Sequence, residues 1–127
     1  MSDKARLKKG KEIFKKVYGN VLDVPEKLTP FTENTFKNLF AEILSRDSLK
    51  MRDRRLLILG ALAGLGADPS LFEIHMRSAL GNGEIAYEEM EELCLVLVAY
   101  TGYPRTSPLY LICQKILAEK KARKKAK

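Results

Sequence analysis

Two stretches limit what this chain can fold into. LLILGALAGL (56–65) and LCLVLVAY (93–100) are apolar at every position around a helix. A helix with no polar face is expected to be buried. Neither stretch reaches the roughly 18–20 apolar residues of a membrane span. The basic N-terminus is not followed by the apolar segment of a secretion signal. We therefore expect a soluble, cytoplasmic protein with no membrane partner. No period-2 run of β-branched residues and no hairpin dipeptide stands between strand patterns, so the fold class is all-α.

Punctuation divides the 127 residues into about six helices. The first is expected over 4–18, carrying Leu7, Ile13, Phe14 and Val17, and stops at Gly19-Asn20. The second, over 30–45, has Thr29 as N-cap and Pro30 at the first position, where a missing N–H costs nothing. Helix three is expected over 49–65, with Gly60 and Gly64 permitting close helix approach. Helix four, over 69–80, opens on Asp68-Pro69. Helix five, over 86–101, carries EEMEE in its first turns, which suits the helix dipole. Helix six, over 107–122, opens on Ser107-Pro108. Length predicts one domain over 1–127, with its core over about 12–119. The apolar surface of helices three and five exceeds what one such chain covers easily, so association into a homo-oligomer is expected.

The formal charge is +7, but it is unevenly spread. Residues 1–11 carry +4 and residues 120–127 carry +6, leaving −3 for the body. Basic ends of this kind read as solvated helix ends. The functional alternative, salt-dependent contact with nucleic acid, rests on the ends alone. A helix–turn–helix does not fit, because the helix before Asp68 is too apolar for a surface element. Cys94 and Cys113 are too few and too far apart in sequence for a zinc site, and read as small core residues. No His–carboxylate cluster has metal-ligand spacing, and no phosphate loop or Ser–His–Asp order occurs. No cofactor is expected.

The only histidine lies in SLFEIHMRSALGNG. Phe72, His75, Met76 and Ala79 follow i, i+3, i+4, i+7 spacing, so His75 points where the apolar residues point. Such a histidine is either a hydrogen-bonded core residue or an acid–base group. Glu73, two positions away, faces elsewhere and cannot orient it; its partner must come from another helix or another subunit. Arg52, Arg54 and Arg55 crowd the start of helix three, and one of them is expected to turn inward. Arg54 is the candidate. Arg52 and Arg55 read as solvated, paired with Asp47 and Asp53.

The order of signals from Arg46 to Pro104 resembles the carboxymuconolactone decarboxylase family. The match runs through Arg46 before a short loop, then Arg54-x-Leu56 opening a long apolar helix. His75 follows, eight residues before Gly83. Glu88-Glu89-x-x-Glu92 and Tyr100-x-Gly102-x-Pro104 complete the order. Two departures stand out: EIL occupies the place of the family's usual Trp, and GNGEIAYEE is one residue longer than the pattern. The resemblance implies an alkylhydroperoxidase D-like helical bundle assembled as a trimer or hexamer. It also implies cofactor-independent loss of carbon dioxide from a small anionic lactone or related acid, in aromatic-compound catabolism. It puts His75 in the role of proton donor, with Arg46, Arg54 and Tyr100 binding substrate. A sister branch of thiol peroxidases carries Cys-x-x-Cys ahead of the histidine. Those positions hold Asp68 and Leu71 here. A peroxidase-like antioxidant protein and a non-catalytic, basic-tailed binding protein remain the alternatives.

Overall fold

The computed structural model describes residues 1–126; Lys127, the last of the basic C-terminal residues, lies outside the described residues. Among the described residues the structure is helical throughout, with no strand. The chain divides into two compact units, Met1–Met51 and Arg52–Lys127.

In the first unit, α1 (Asp3–Tyr18) is capped by Ser2, whose hydroxyl accepts from the Ala5 N–H at 3.1 Å. It ends at Gly19, which takes φ 55°, a left-handed value that glycine adopts without strain. The helix α2 (Pro30–Asn34) opens as expected on Thr29 and Pro30. The Thr29 N–H donates to Thr32 Oγ1 at 2.8 Å, closing a capping box. The chain then continues as a π-helical segment over Thr35–Ile43, ending with the Leu44 N–H on the Leu39 carbonyl at 2.8 Å, an i→i−5 bond. Thr35 sits at the transition and donates its hydroxyl to the Phe31 carbonyl at 2.9 Å, a side-chain bond that competes with the regular ladder. Hydrophobic spacing could not distinguish this segment from an α-helix. Phe36 and Phe40 are buried with Val17, and the Phe14 ring lies 5.1 Å from each of the two. Gly10 allows the approach: a Cβ there would sit 2.1 Å from the Phe36 carbonyl oxygen.

The second unit is built from α3 (Met51–Leu65, entering it at Arg52), α4 (Pro69–Gly81), α5 (Glu89–Thr101) and α6 (Tyr103–Ala126). Asp68 caps α4 by accepting from the Ser70 N–H at 2.8 Å. The core gathers Leu59 and Ala63, Phe72 and Met76, Met90 and Cys94, and Leu109, Cys113 and Ile116. Charge pairs join α4 to α6: Arg77 meets Glu119 at 2.8 Å, and Lys115 meets Glu73 at 2.8 Å. Lys120, in the basic end of α6, lies 4.0 Å above the Tyr87 ring.

Four expectations need correction. Helix five begins at Glu89 rather than 86. Helix six begins at Tyr103 rather than 107, directly after Gly102 at φ 85°. The Thr106 N–H already reaches the Gly102 carbonyl at 3.1 Å, so Pro108 falls inside a running helix instead of starting one. Gly60 and Gly64 permit no close approach within the chain, because a Cβ at either would meet nothing within 4 Å. Finally, α3 and α5 are not buried on all sides: Leu57, Leu65, Leu95, Val96 and Tyr100 are all exposed.

Candidate functional site

The site grows from the first turn of α3. Arg52 and Arg55 are three residues apart and share a face of that helix. Arg55 is completely buried, with 0% exposure. This corrects the reading of Arg55 as solvated; Arg52 is exposed as expected, but its ion pair is with Glu89 rather than with Asp47 or Asp53. Arg55 is the inward member of the trio, because the third helical turn it precedes is anchored in the core by Leu59. Arg54 is only partly buried.

A buried guanidinium needs a charged partner. Glu84 supplies it: Arg55 Nε donates to Glu84 Oε1 at 2.7 Å, and a terminal nitrogen donates to Oε2 at 3.2 Å. Glu84 lies in the connection between α4 and α5. Gly83, at φ 73°, turns the chain there, and buried Ile85 pins it. Nothing in local periodicity marks Glu84, which sequence reasoning missed. Its only local signal is a carboxylate flanked by a turn glycine and an apolar anchor.

Arg55 also donates from Nη1 to His75 Nδ1 at 3.0 Å. A guanidinium cannot accept a hydrogen bond. His75 Nδ1 must therefore be the acceptor, and the neutral ring carries its proton on Nε2. The half-buried ring is held neutral: burial first, and the Arg55 charge second, lower its pKa to about 4, while Glu84 pulls weakly the other way. The orienting partner thus comes from another helix. Glu73 is engaged elsewhere, with Arg77 and Lys115.

A second pair flanks this chain of contacts. Arg52 grips both oxygens of Glu89, at 2.9 and 2.8 Å, and donates to the Glu84 carbonyl at 2.7 Å. Glu89 also accepts from the Ala86 N–H at 2.9 Å. The Arg52 bond, then that backbone bond, lower the Glu89 pKa to about 2. Beside this pair lies a cavity of about 180 Å³, lined by Leu56, Ile85, Glu92, Leu93 and Val96 with the two ions. His75 does not line it.

Tyr100 is 89% exposed on α5. Arg46 belongs to the first unit, where it is exposed and lines a cavity with Arg6, Lys9, Glu42 and Asp47. Among the described residues no group of three or more His, Cys, Asp or Glu side chains could hold a metal ion, and no helix is long and apolar enough to cross a membrane.

These features define a class: an all-α bundle of the alkylhydroperoxidase D-like type, with a site of arginine, glutamate and one neutral imidazole. The chain belongs to the carboxymuconolactone decarboxylase family, whose model matches residues 30–111. No curated protein and no solved structure gives a match to the chain.

Proposed function

We propose that this protein is a cofactor-independent decarboxylase of the carboxymuconolactone decarboxylase type. Its substrate is a small anionic lactone or related acid, and His75 is its proton donor. The observation that carries this reading is the Glu84–Arg55–His75 chain of contacts, which fixes the ring and its tautomer through a fully buried arginine. A histidine that merely filled the core would not call for a buried ion pair behind it.

The chemistry follows from the substrate class. The carbon–carbon bond to the carboxylate breaks. Its electron pair runs through the conjugated double bond onto the lactone carbonyl oxygen, and carbon dioxide leaves. The extended enolate then takes a proton on carbon. His75, neutral without substrate, would take a proton from solvent on Nδ1 as a dianion docks, releasing its bond from Arg55. The added negative charge counters the burial and the Arg55 charge that hold the ring neutral. Nε2–H is then the donor to carbon. Arg46 and Arg54 are the proposed anion-binding residues, since the arginine fork suits carboxylates. Tyr100 would donate a hydrogen bond to substrate from the surface of α5. That role fits a homo-oligomer, trimer or hexamer, in which the exposed apolar residues of α3 and α5 meet a second copy. A cytoplasmic, aromatic-catabolic setting goes with this reading.

The test is to incubate the protein with a panel of unsaturated lactone carboxylates and follow carbon dioxide release. His75→Gln should lose about 10²–10⁴-fold in turnover and keep its fold. Turnover that survives in His75→Gln would show that the ring is structural.

The peroxidase alternative receives less support. Asp68 caps α4 in the place where the sister branch carries a cysteine, and both cysteines of this chain are buried.

A further inference from the structure

Seven basic side chains crowd α1, against only Asp3 and Glu12. The fold sorts them. Leu7, Phe14 and Val17 pack with Phe36 and Phe40, and Gly10 lets the helix lie close against the Phe36 backbone. Arg6 is drawn to that side, to Glu42 at 2.6 Å and Asn38 at 2.6 Å. Lys37 of the π-helical segment takes Asp3 at 3.3 Å. Lys4, Lys8, Lys11 and Lys15 are left on one side of α1, because i, i+4, i+7, i+11 spacing keeps them within about 60° of arc. Lys4, Lys8 and Lys15 are exposed and Lys11 is half-buried. The ion pairs of this unit go to Arg6 and Lys37; among the described residues none goes to the four lysines. Lys4, Lys8 and Lys11, with Ser2 and Leu7, line a hollow of about 590 Å³. Glu12 stands beside the row, so four lysines face one carboxylate.

We propose that this lysine row is a docking surface for the phosphate backbone of duplex nucleic acid. The inference is independent of the decarboxylase reading. The row contains none of His75, Arg46, Arg54 or Arg55, and α1 lies outside the residues 30–111 that match the family.

Lys4 to Lys15 spans about 16 Å along the helix, a length over which one strand of a duplex presents about five phosphates. Unpaired ammonium groups in a row, on a helix anchored by its other face, match that array and release its condensed counter-ions on contact. Lysines are point charges without the planar fork that reads a base edge, and Arg6 is engaged on the packed side. Contact is therefore with the backbone and not with sequence. No aromatic ring lies in the row to stack an unpaired base, which selects duplex over single strand. The apolar residues of α1 are packed on the π-helical segment, which leaves no apolar face to enter a lipid surface. The basic end of α6, where Lys121, Lys124 and Lys125 are exposed, is a second cationic surface in the other unit and provides the comparison.

The test is fluorescence anisotropy of the full chain with labelled DNA duplexes of about 20 base pairs, titrated at several salt concentrations. We expect a dissociation constant of about 10⁻⁴–10⁻⁶ M, equal for duplexes of unrelated sequence. Replacing Lys4, Lys8, Lys11 and Lys15 together by Gln should lower the slope of log affinity against log salt by about 3–4, and weaken binding about 100-fold or more at low salt. Circular dichroism should show the helices of this variant intact. Lys4→Gln/Lys15→Gln, a milder change, should give about half the loss of slope. Lys121→Gln/Lys124→Gln/Lys125→Gln should lower the slope less than the fourfold change does; a larger loss there would overturn the assignment to α1. The proposal also fails if binding ignores salt, or if the folded fourfold variant binds as the unmodified chain does. Tighter attachment to single-stranded DNA, to phosphatidylserine vesicles or to polyglutamate than to duplex would likewise overturn it.

Discussion

At the scale of single residues, the fate of His75 is decided by Arg55. The ring accepts from a permanent donor, and a proton arriving on Nδ1 would face a buried cation. An unfolded chain holds that proton up to about pH 6.5, whereas the folded site releases it at about 4. Between these values the unfolded state binds more protons, so stability rises with pH. The contribution is complete above about 6.5 and is lost as pH falls toward 4. Glu89 acts in a lower window: its stabilisation is present above the ordinary glutamate value and lost toward pH 2. Melting temperatures in half-unit steps should therefore fall in two stages on acidification, and His75→Gln should remove the upper stage alone. Activity carries a second signature. If His75 donates its proton only after substrate docks, kcat/KM should fall with rising pH above about 4, while kcat holds to a higher pH. Profiles flat from pH 5 to 8 would reduce the ring to a neutral hydrogen-bond donor. Glu84→Gln leaves the Arg55 charge buried without its counter-ion, and should cost about 3–5 kcal/mol, read by denaturant unfolding.

Among the helices, glycine has opposite meanings in α1 and α3. Gly10 sits where a methyl group would strike the Phe36 backbone, which cannot swing aside as a flexible side chain would. Gly10→Ala should lower stability by about 1–3 kcal/mol. Gly60 has open space around it, and alanine is the better helix former by about 1 kcal/mol. Gly60→Ala should therefore raise the melting temperature. A drop instead would mean that a second copy packs closely on that face of α3.

For the molecule as a whole, the exposed apolar residues call for a partner surface. Leu57 and Leu65 on α3, and Leu95 and Val96 on α5, are each more than half exposed, on helices that offer few polar residues beyond their first turns. Large apolar side chains left in water in such number mark an interaction surface. Sedimentation at micromolar concentration should give a trimer or hexamer. Val96→Lys should reduce it to a smaller species with helical content intact, because a lysine there is tolerated in water and not between apolar faces. Sedimentation of the unmodified chain as a monomer would refute the assembly.

Local chemistry was enough to mark the helical class and the ends of several helices. Thr29-Pro30 and Asp68-Pro69 mark their starts, Gly19 and Gly102 their ends, and the order from Arg46 to Pro104 marks the family, because capping and patterning act over a few neighbouring residues. His75 was legible as an inward residue for the same reason. Tertiary structure alone chose Arg55 over Arg54, since adjacent arginines differ by only about 100° around a helix and only the neighbouring elements tell those directions apart. It alone brought Glu84 to that arginine from a connecting segment with no periodicity, and Cys94 to Cys113 across nineteen residues. Helix six shows the limit of local signals: Ser107-Pro108 has the composition of a helix start, yet Gly102 had already turned the chain and α6 was running. A buried charge is paired by whatever element arrives beside it, and arrival is a property of the packed fold rather than of any window of sequence.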